Sequence, residues 1–270
     1  MVNEVRLDIA LVQNGVVRSR QRAKELIEEG KILLNGSTCK KAAVLVSPDS
    51  KIEVEGEKLK YVSRGGLKLE KALKSFNLSV EGKVCIDYGA STGGFTDCLL
   101  QAGARRVYAI DVGTQQLNEK LQKDERVISL EQTNARILTR SHIPELADFS
   151  CVDLSFISLQ LVLPTIKDFL VQDGECVVLI KPQFEAGREN IGKNGIVKSP
   201  KIHKQVLHAT SSFAYSIMMP VKAVAFSPVK GSKGNIEYLF YMQNGGKFDG
   251  RINKKLDEVV DEAFSELKGR

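Results

Sequence analysis

Four charged residues stand where an α/β chain can bring them together: Lys68, Asp153, Lys181 and Glu237. Asp153 closes the apolar stretch Phe149-Ser-Cys-Val-Asp153, and Lys181 follows Cys176-Val-Val-Leu-Ile180. If both stretches are parallel strands of one sheet, the two residues are neighbours at its carboxyl edge, where such sheets bind ligands. Glu237 lies at the head of a later apolar run, Ile236–Met242. An antiparallel strand there begins at that same edge. Lys68 lies on a helical stretch ahead of the first strand and can reach over it. The chemistry open to two lysines and two carboxylates is proton transfer. A lysine takes a proton from a hydroxyl only if its pKa falls from about 10.4, and burial beside a second cation lowers it. Lys181 is the expected general base, with Lys68 depressing its pKa and contacting the substrate. Asp153 and Glu237 are expected to orient the lysines and keep the cluster near neutral. Taken singly, each residue reads as a surface ion pair or a helix cap; their convergence carries the inference.

The elements that must position this cluster begin at Val84-Cys-Ile-Asp-Tyr-Gly-Ala-Ser-Thr-Gly-Gly-Phe-Thr96. A short apolar run, a glycine turn and a helical run make the start of a Rossmann-like unit. The glycines let backbone approach a ligand, and the turn offers unpaired N–H groups. The spacing is Gly-x-x-x-Gly-Gly, which departs from the dinucleotide pattern and is similar to the cofactor turn of S-adenosylmethionine (SAM) methyltransferases. A second strand, Val107-Tyr-Ala-Ile-Asp111, ends in a carboxylate. Asp111 follows Gly89 at close to the spacing of about 20 residues at which an acid meets ribose hydroxyls; the plainer reading is a cap on the next helix. Cofactor contacts are expected from Asp87, Gly89, Ala90, Ser91, Thr92, Gly93, Gly94, Phe95, Asp111, Val112, Asn134 and Asp153.

The remaining strands are expected at Val127–Leu130, Phe149–Asp153, Cys176–Ile180, Lys222–Ser227 and Ile236–Met242. Helices are expected over Leu67–Phe76, Gln115–Lys123, Leu159–Leu170 and Pro200–Tyr215, with a last amphipathic one over Asn253–Leu267 that has a packing role only. Alternation argues a parallel doubly wound sheet. The last two strands, joined without a helix, are expected to close it as an antiparallel pair.

Composition bounds the classes. The 270 residues are 43% hydrophobic and 27% charged, ordinary for a globular chain of one large or two modest domains. A formal charge of +6 is compatible with nucleic acid and equally with an ordinary lysine-rich surface. The five cysteines are scattered, with no Cys-x-x-Cys, so no metal site is expected and a reducing, cytoplasmic setting is. Glu4, Arg6 and Asp8 stand where a signal peptide is apolar, and no apolar run approaches the roughly 20 residues that span a membrane.

Residues 1–60 read as a separate unit: helix Arg6–Asn14, helix Arg20–Glu29 capped by Ser19, a hairpin at Asn35-Gly36 and strand Lys51–Glu55. Arg18, Arg20, Arg22 and Lys24 crowd the start of the second helix, with Lys31 past its end. Cations at a helix N-terminus oppose the macrodipole, which is tolerated where an anion binds. Arg6-Leu-Asp8, Ser19-Arg-Gln-Arg-Ala-Lys24, Ile27, Gly30-Lys-Ile-Leu-Leu-Asn-Gly36 and Val54 resemble the small αL-type RNA-binding domain of ribosomal protein S-four. That resemblance implies structured RNA as a partner, with Arg6, Arg18, Arg20, Arg22, Lys24 and Lys31 as contacts. Arg64, Arg188 and Lys193 are added from the rest of the chain. Tyr61–Gly66 reads as a linker whose paired glycines suit a hinge, and residues 67–270 as the catalytic domain. The loop Glu185–Lys198, with three glycines and several cations, is expected to be a mobile lid over RNA phosphates.

Ser63-Arg-Gly-Gly-Leu-Lys-Leu-Glu70, Asp87–Asp97, Asp153-Leu-Ser-Phe-Ile-Ser158, Lys181-Pro-Gln-Phe-Glu-Ala-Gly187 and Gly234-Asn-Ile-Glu237 resemble the FtsJ-like ribose methyltransferases, and with the first unit the TlyA-type family of rRNA methyltransferases, also called hemolysins. The resemblance implies a seven-stranded Rossmann-like domain, a Lys-Asp-Lys-Glu tetrad at Lys68, Asp153, Lys181 and Glu237, SAM as cofactor, and transfer to cytidine 2′-hydroxyls of ribosomal RNA in ribosomal subunits. Tyr88 departs from the small aliphatic residue usual in the family, with no catalytic consequence. Base methylation fits less well: the prolines of an Asp-Pro-Pro-Tyr motif and a Pro-Cys nucleophile are missing, and neither explains the lysines. A membrane-active hemolysin is disfavoured, since the sequence shows no secretion signal, spanning segment or long basic amphipathic helix. A non-catalytic assembly factor has no use for an intact tetrad.

Overall fold

The computed structural model describes residues 4–14, 16–17, 20–54, 60–231 and 234–267. The chain divides into two compact units, Met1–Lys58 and Leu59–Arg270.

In the first unit, β1 (Val5–Arg6) leads into α1 (Leu7–Gln13) and α2 (Arg20–Glu28), followed by β2 (Ile32–Leu34), β3 (Ser37–Thr38), β4 (Leu45–Val46) and β5 (Ile52–Val54). β1 pairs antiparallel with β4, and β2 is the centre of a three-stranded antiparallel sheet between β3 and β5. Leu7, Ala10 and Leu11 of α1 and Ala23, Leu26 and Ile27 of α2 form one buried cluster with Ile32 and Val46, at the i, i+3, i+4 positions of an apolar stripe. The Asn35-Gly36 turn has both residues at positive φ (51° and 80°), the hairpin conformation their types favour. Arg18, the Ser19 cap and Glu55 of the expected strand lie outside the described residues.

The second unit comprises α3 (Gly65–Ser75), β6 (Val84–Tyr88), α4 (Gly94–Gln101), β7 (Arg106–Ile110), α5 (Glu119–Gln122), β8 (Val127–Leu130), β9 (Ala147–Val152), α6 (Leu163–Asp168), β10 (Leu170–Ile180), α7 (Pro182–Glu185), α8 (Pro200–Ser216), β11 (Val221–Phe226), β12 (Tyr238–Gln243) and α9 (Ile252–Leu267). The seven strands run β11-β12-β10-β9-β6-β7-β8, with β12 antiparallel to both neighbours and the central pairs parallel. Apolar residues cover both faces, as a parallel sheet requires. Ile86, Tyr108, Val152 and Val178 pack with α6, α8 and α9; Cys85, Val107, Phe149 and Val177 pack with α3 and α4. Among the described residues no helix is long and apolar enough to cross a membrane.

Three expectations are corrected. The helix over Gln115–Lys123 shrinks to Glu119–Gln122, because Gln115 takes φ +52° with its N–H held by Glu131 at 2.7 Å, and Asn118 caps the turn that remains. The helix over Leu159–Leu170 breaks into a short 3-10 turn capped by Ser158 and the six-residue α6; Leu170 already belongs to β10, paired with Ala147 of β9. The glycines read as a hinge instead start α3. Tyr61 is in the core of the second unit, Val62 N–H donates to Asp97 at 2.8 Å, and a side chain at Gly66 would run into the Tyr61 ring.

Candidate active site

Strand register explains why the four charged residues meet. Tyr88 lies opposite Val152, Val152 opposite Val178, and Ile180 opposite Tyr238. Asp153, Lys181 and Glu237 therefore leave three adjacent strands at one edge. Glu237 stands one residue ahead of β12 rather than within it, and its carbonyl still accepts the Ser227 N–H at 2.8 Å. Lys68, in the first turns of α3, reaches the same edge.

Lys181 Nζ lies 2.6 Å from Asp153 Oδ1 and donates to Ser155 Oγ at 2.7 Å. Lys68 Nζ donates to Glu237 Oε2 at 2.6 Å and lies 3.8 Å from Asp153 Oδ2. Asp153 thus bridges the two lysines, one oxygen to each, and the charges alternate along the string. Side-chain exposure is only 2% for Glu237, 9% for Lys181, 11% for Lys68 and 20% for Asp153, so the charges interact with little water between them. Burial alone would raise the Asp153 carboxyl, but the Lys68 and Lys181 ammoniums outweigh it and hold the group below its ordinary value. Burial likewise pulls the Lys68 ammonium down, and Asp153 and Glu237 outweigh that, leaving it above its ordinary value.

A cavity of about 270 Å³ is bordered by all four of these residues, by Gly89 and Ser91 of the glycine turn, and by Ser155, Gln183 and Phe184. Gly89 has φ +87°, and a Cβ there would come within 2.6 Å of the Asp153 carbonyl oxygen, so only glycine lets the turn pack on the end of β9. Asp111 braces the turn: one carboxylate oxygen accepts the Ser91 N–H at 2.8 Å and the other the Gly113 N–H at 2.7 Å. Its role in the fold is to hold two loops, not to cap a helix. Val112 beside it is 72% exposed.

Other expected cofactor residues are placed differently. Asp87 is fully buried; Thr96 Oγ1 donates to it at 2.7 Å and it does not border the cavity. Burial, with the charge of Asp153 adding, pushes its carboxyl up to about 7 despite the Thr96 hydrogen bond. Ala90, Gly93, Gly94 and Phe95 are buried, Ser91 is exposed and Thr92 is half-buried. Asn134 caps a 3-10 turn through the Arg136 N–H.

In the first unit, Arg6 and Arg20 converge on buried Asp8, each at 2.9 Å. The Arg6 hydrogen bond, assisted by Arg20, outweighs burial and lowers the Asp8 carboxyl to about 2. Arg22 pairs with Glu25 and Lys31 with Glu29, both at 2.9 Å, and Lys24 is half-buried. Arg64, Arg188 and Lys193 are exposed. The 185–198 loop is pinned at its ends: Glu185 accepts from Ser158 Oγ and the Leu159 N–H, while Asn235 bonds Gly195 and Val197.

Sequence reasoning missed Ser155, Gln183 and the ring pair Phe156–Phe184, whose centroids are 4.9 Å apart. Phe156 is 90% exposed at φ +63°. Among the described residues no three His, Cys, Asp or Glu side chains group as metal ligands.

A seven-stranded sheet with one antiparallel strand inserted next to the edge, and a glycine turn after β6 of its parallel part, is the Rossmann-like methyltransferase fold. Residues 61–244 match the FtsJ-like methyltransferases and residues 5–52 the S4 domain, and the chain belongs to the FtsJ-like methyltransferase family. It is 40% identical, over 98% of its length and 99% of the relative's, to the 16S/23S rRNA (cytidine-2′-O)-methyltransferase TlyA of Mycobacterium tuberculosis. It is 42% identical to hemolysin A of Brachyspira hyodysenteriae, covering 87% of this chain and 98% of that one. A solved Streptococcus thermophilus protein, provisionally named a hemolysin, is 45% identical with a TM-score of 0.82, covering 99% of this chain and 98% of that one.

Proposed function

We propose that this protein transfers a methyl group from SAM to a ribose 2′-hydroxyl, that of a cytidine in ribosomal RNA, and that its S4 domain binds that RNA. The observation that carries this reading is the buried, alternating string Lys181–Asp153–Lys68–Glu237 at the border of one cavity with the glycine turn. A metabolically inert binding module gains nothing from two buried lysines, since desolvating charges costs several kcal/mol per ion. The M. tuberculosis relative's name supports cytidine and ribosomal RNA as the target, and a ribosomal substrate supports a cytoplasmic reaction.

The residues at hand fit SAM. Gly89 and Ser91 offer close backbone approach, Asp111 keeps lone pairs open to ribose hydroxyls beyond the two N–H groups it accepts, and Val112 gives the base an apolar face. When bound, SAM supplies an electrophilic methyl on a sulfonium and departs as a neutral thioether. Lys181 must first give up its own proton to solvent; as the neutral amine it then takes the 2′-hydroxyl proton on Nζ as the ribose oxygen forms its new bond to carbon. The ammonium so formed is stabilised by Asp153 at 2.6 Å. Ser155 Oγ holds Nζ in direction, and Glu237 holds Lys68 in place to meet the substrate. With an in-line transfer from a sulfonium, positioning supplies most of the rate. Arg188 and Lys193 contact RNA phosphates from a lid anchored at both ends.

The test is methyl transfer from labelled SAM to unmodified ribosomal subunits, followed by nucleoside digestion and mass spectrometry. Label on a cytidine 2′-oxygen is expected. Label on a base would overturn the tetrad reading, and no label on either subunit or free rRNA would favour an assembly role.

A further inference from the structure

Gln183 is nine-tenths buried, 8% exposed, and its side-chain oxygen Oε1 is fully buried with no hydrogen-bond partner among the described residues. It borders the same cavity as Lys181. A buried acceptor left without a donor costs about 1–3 kcal/mol, and one on a residue that borders a cavity can be completed by a ligand there. The position is also rigid. Gln183 lies in the first turn of α7, Pro182 precedes it, and the Phe184 N–H donates to the Lys181 carbonyl at 2.9 Å. Whatever meets the Gln183 amide is therefore held at a fixed offset from the amine of Lys181.

We propose that Gln183 is a specificity-determining residue that receives the exocyclic amine of the target base, resting on the ribose-methylation reading above. A carboxamide carries one acceptor and two donors in a plane. Cytosine presents N4–H₂ as donor beside N3 as acceptor, so Oε1 takes the amine while the amide NH₂ meets N3. The pair is bidentate and neutral, and it leaves the charged string free for the ribose. A lysine or carboxylate could not serve here without upsetting the charge balance around Lys181. Phe184, next in sequence, half-buried and tilted against the exposed Phe156, gives the base an apolar flank beside the amide.

The experiment compares wild type with Gln183→Leu, using Gln183→Met as a second variant of matching length in case the branched side chain loosens α7. SAM affinity by titration calorimetry, Tm, and methyl transfer are measured. The RNA substrates are unmodified subunits and subunits whose mapped target cytidine is replaced by uridine. SAM affinity is expected to hold and Tm to hold or rise, while kcat/KM on the natural target falls about tenfold or more, the scale of one to two hydrogen bonds to a base edge. The wild-type preference for cytidine over uridine is expected to shrink by at least the same factor in both variants, which a purely structural residue would not cause. An unchanged kcat/KM and preference would overturn the proposal. SAM affinity falling in step with kcat/KM would overturn it too, assigning the amide to the cofactor. Wild-type label absent from ribose would instead bring down the parent reading, and this one with it.

Discussion

Each unit of the protein holds a carboxylate between two cations, and the two arrangements differ in what is buried. In the first, the carboxylate of Asp8 is sealed in and its partners Arg6 and Arg20 are 41% and 55% exposed. In the second, Asp153 and both its lysines are largely out of water, with Glu237 more deeply buried still. Burying the anion alone fixes two arginines at one carboxylate while leaving them in contact with water. Burying cations and anions together stores charge where a single proton moved changes the balance, a geometry for chemistry. Which partner meets the solvent, and whether the cations are arginines or lysines, thus separates the two arrangements.

The comparison breaks most visibly at the carboxylates. Glu237→Ala strands the buried Lys68 ammonium with only Asp153 at 3.8 Å, and a stability loss of about 3 kcal/mol is expected from urea unfolding of the second unit. Asp8→Ala leaves its arginines free to hydrate and is expected to cost less, about 1 kcal/mol. Equal losses would show that burial of the cation is not the distinction.

Acid and alkali sharpen the contrast. Asp8 and Asp153 both have depressed folded values, so each contributes stability that is present above the ordinary carboxylate value and lost as pH falls; for Asp8 the loss runs between about 4 and about 2. Lys68 has a raised value, so its contribution is present below its ordinary 10.5 and lost as pH rises past it. Amide exchange resolved by NMR is expected to show the first unit loosening in acid, and the residues around Lys68 loosening in alkali as well. A second unit indifferent to alkali would contradict the Lys68 pairing.

The smallest effect expected lies beneath the site. The hydroxyl of Tyr88 is buried at the end of β6 with no partner among the described residues. Tyr88→Phe removes it and should raise stability by about 1 kcal/mol, read as an increase in Tm, without changing methyl transfer.

Most of the sheet was legible because its strands are short apolar runs that end in charged or glycine residues, as at Val84–Tyr88 and Cys176–Ile180. The tetrad was legible for the same reason, since strand ends of one sheet share an edge. What failed was local. Gln115 adopts a left-handed backbone that no propensity marks, and the run Leu159–Leu170 is apolar enough for helix or strand, so its last residue passed to β10 by pairing with β9. Asp87 has the type and place of a ligand residue, but its side chain turns inward to Thr96. Ser155 and Gln183 are neutral and aperiodic; only the side-chain directions set by the fold reveal them at the cavity.

The most direct test of the account is the single-turnover rate of methyl transfer to ribosomal subunits by Lys181→Ala, at saturating SAM and with SAM affinity measured in parallel. If Lys181 is the base, the rate falls by about 10²–10⁴ while SAM binding is kept. A rate within a few-fold of wild type would show that the buried string is structural and that the proton leaves by another route.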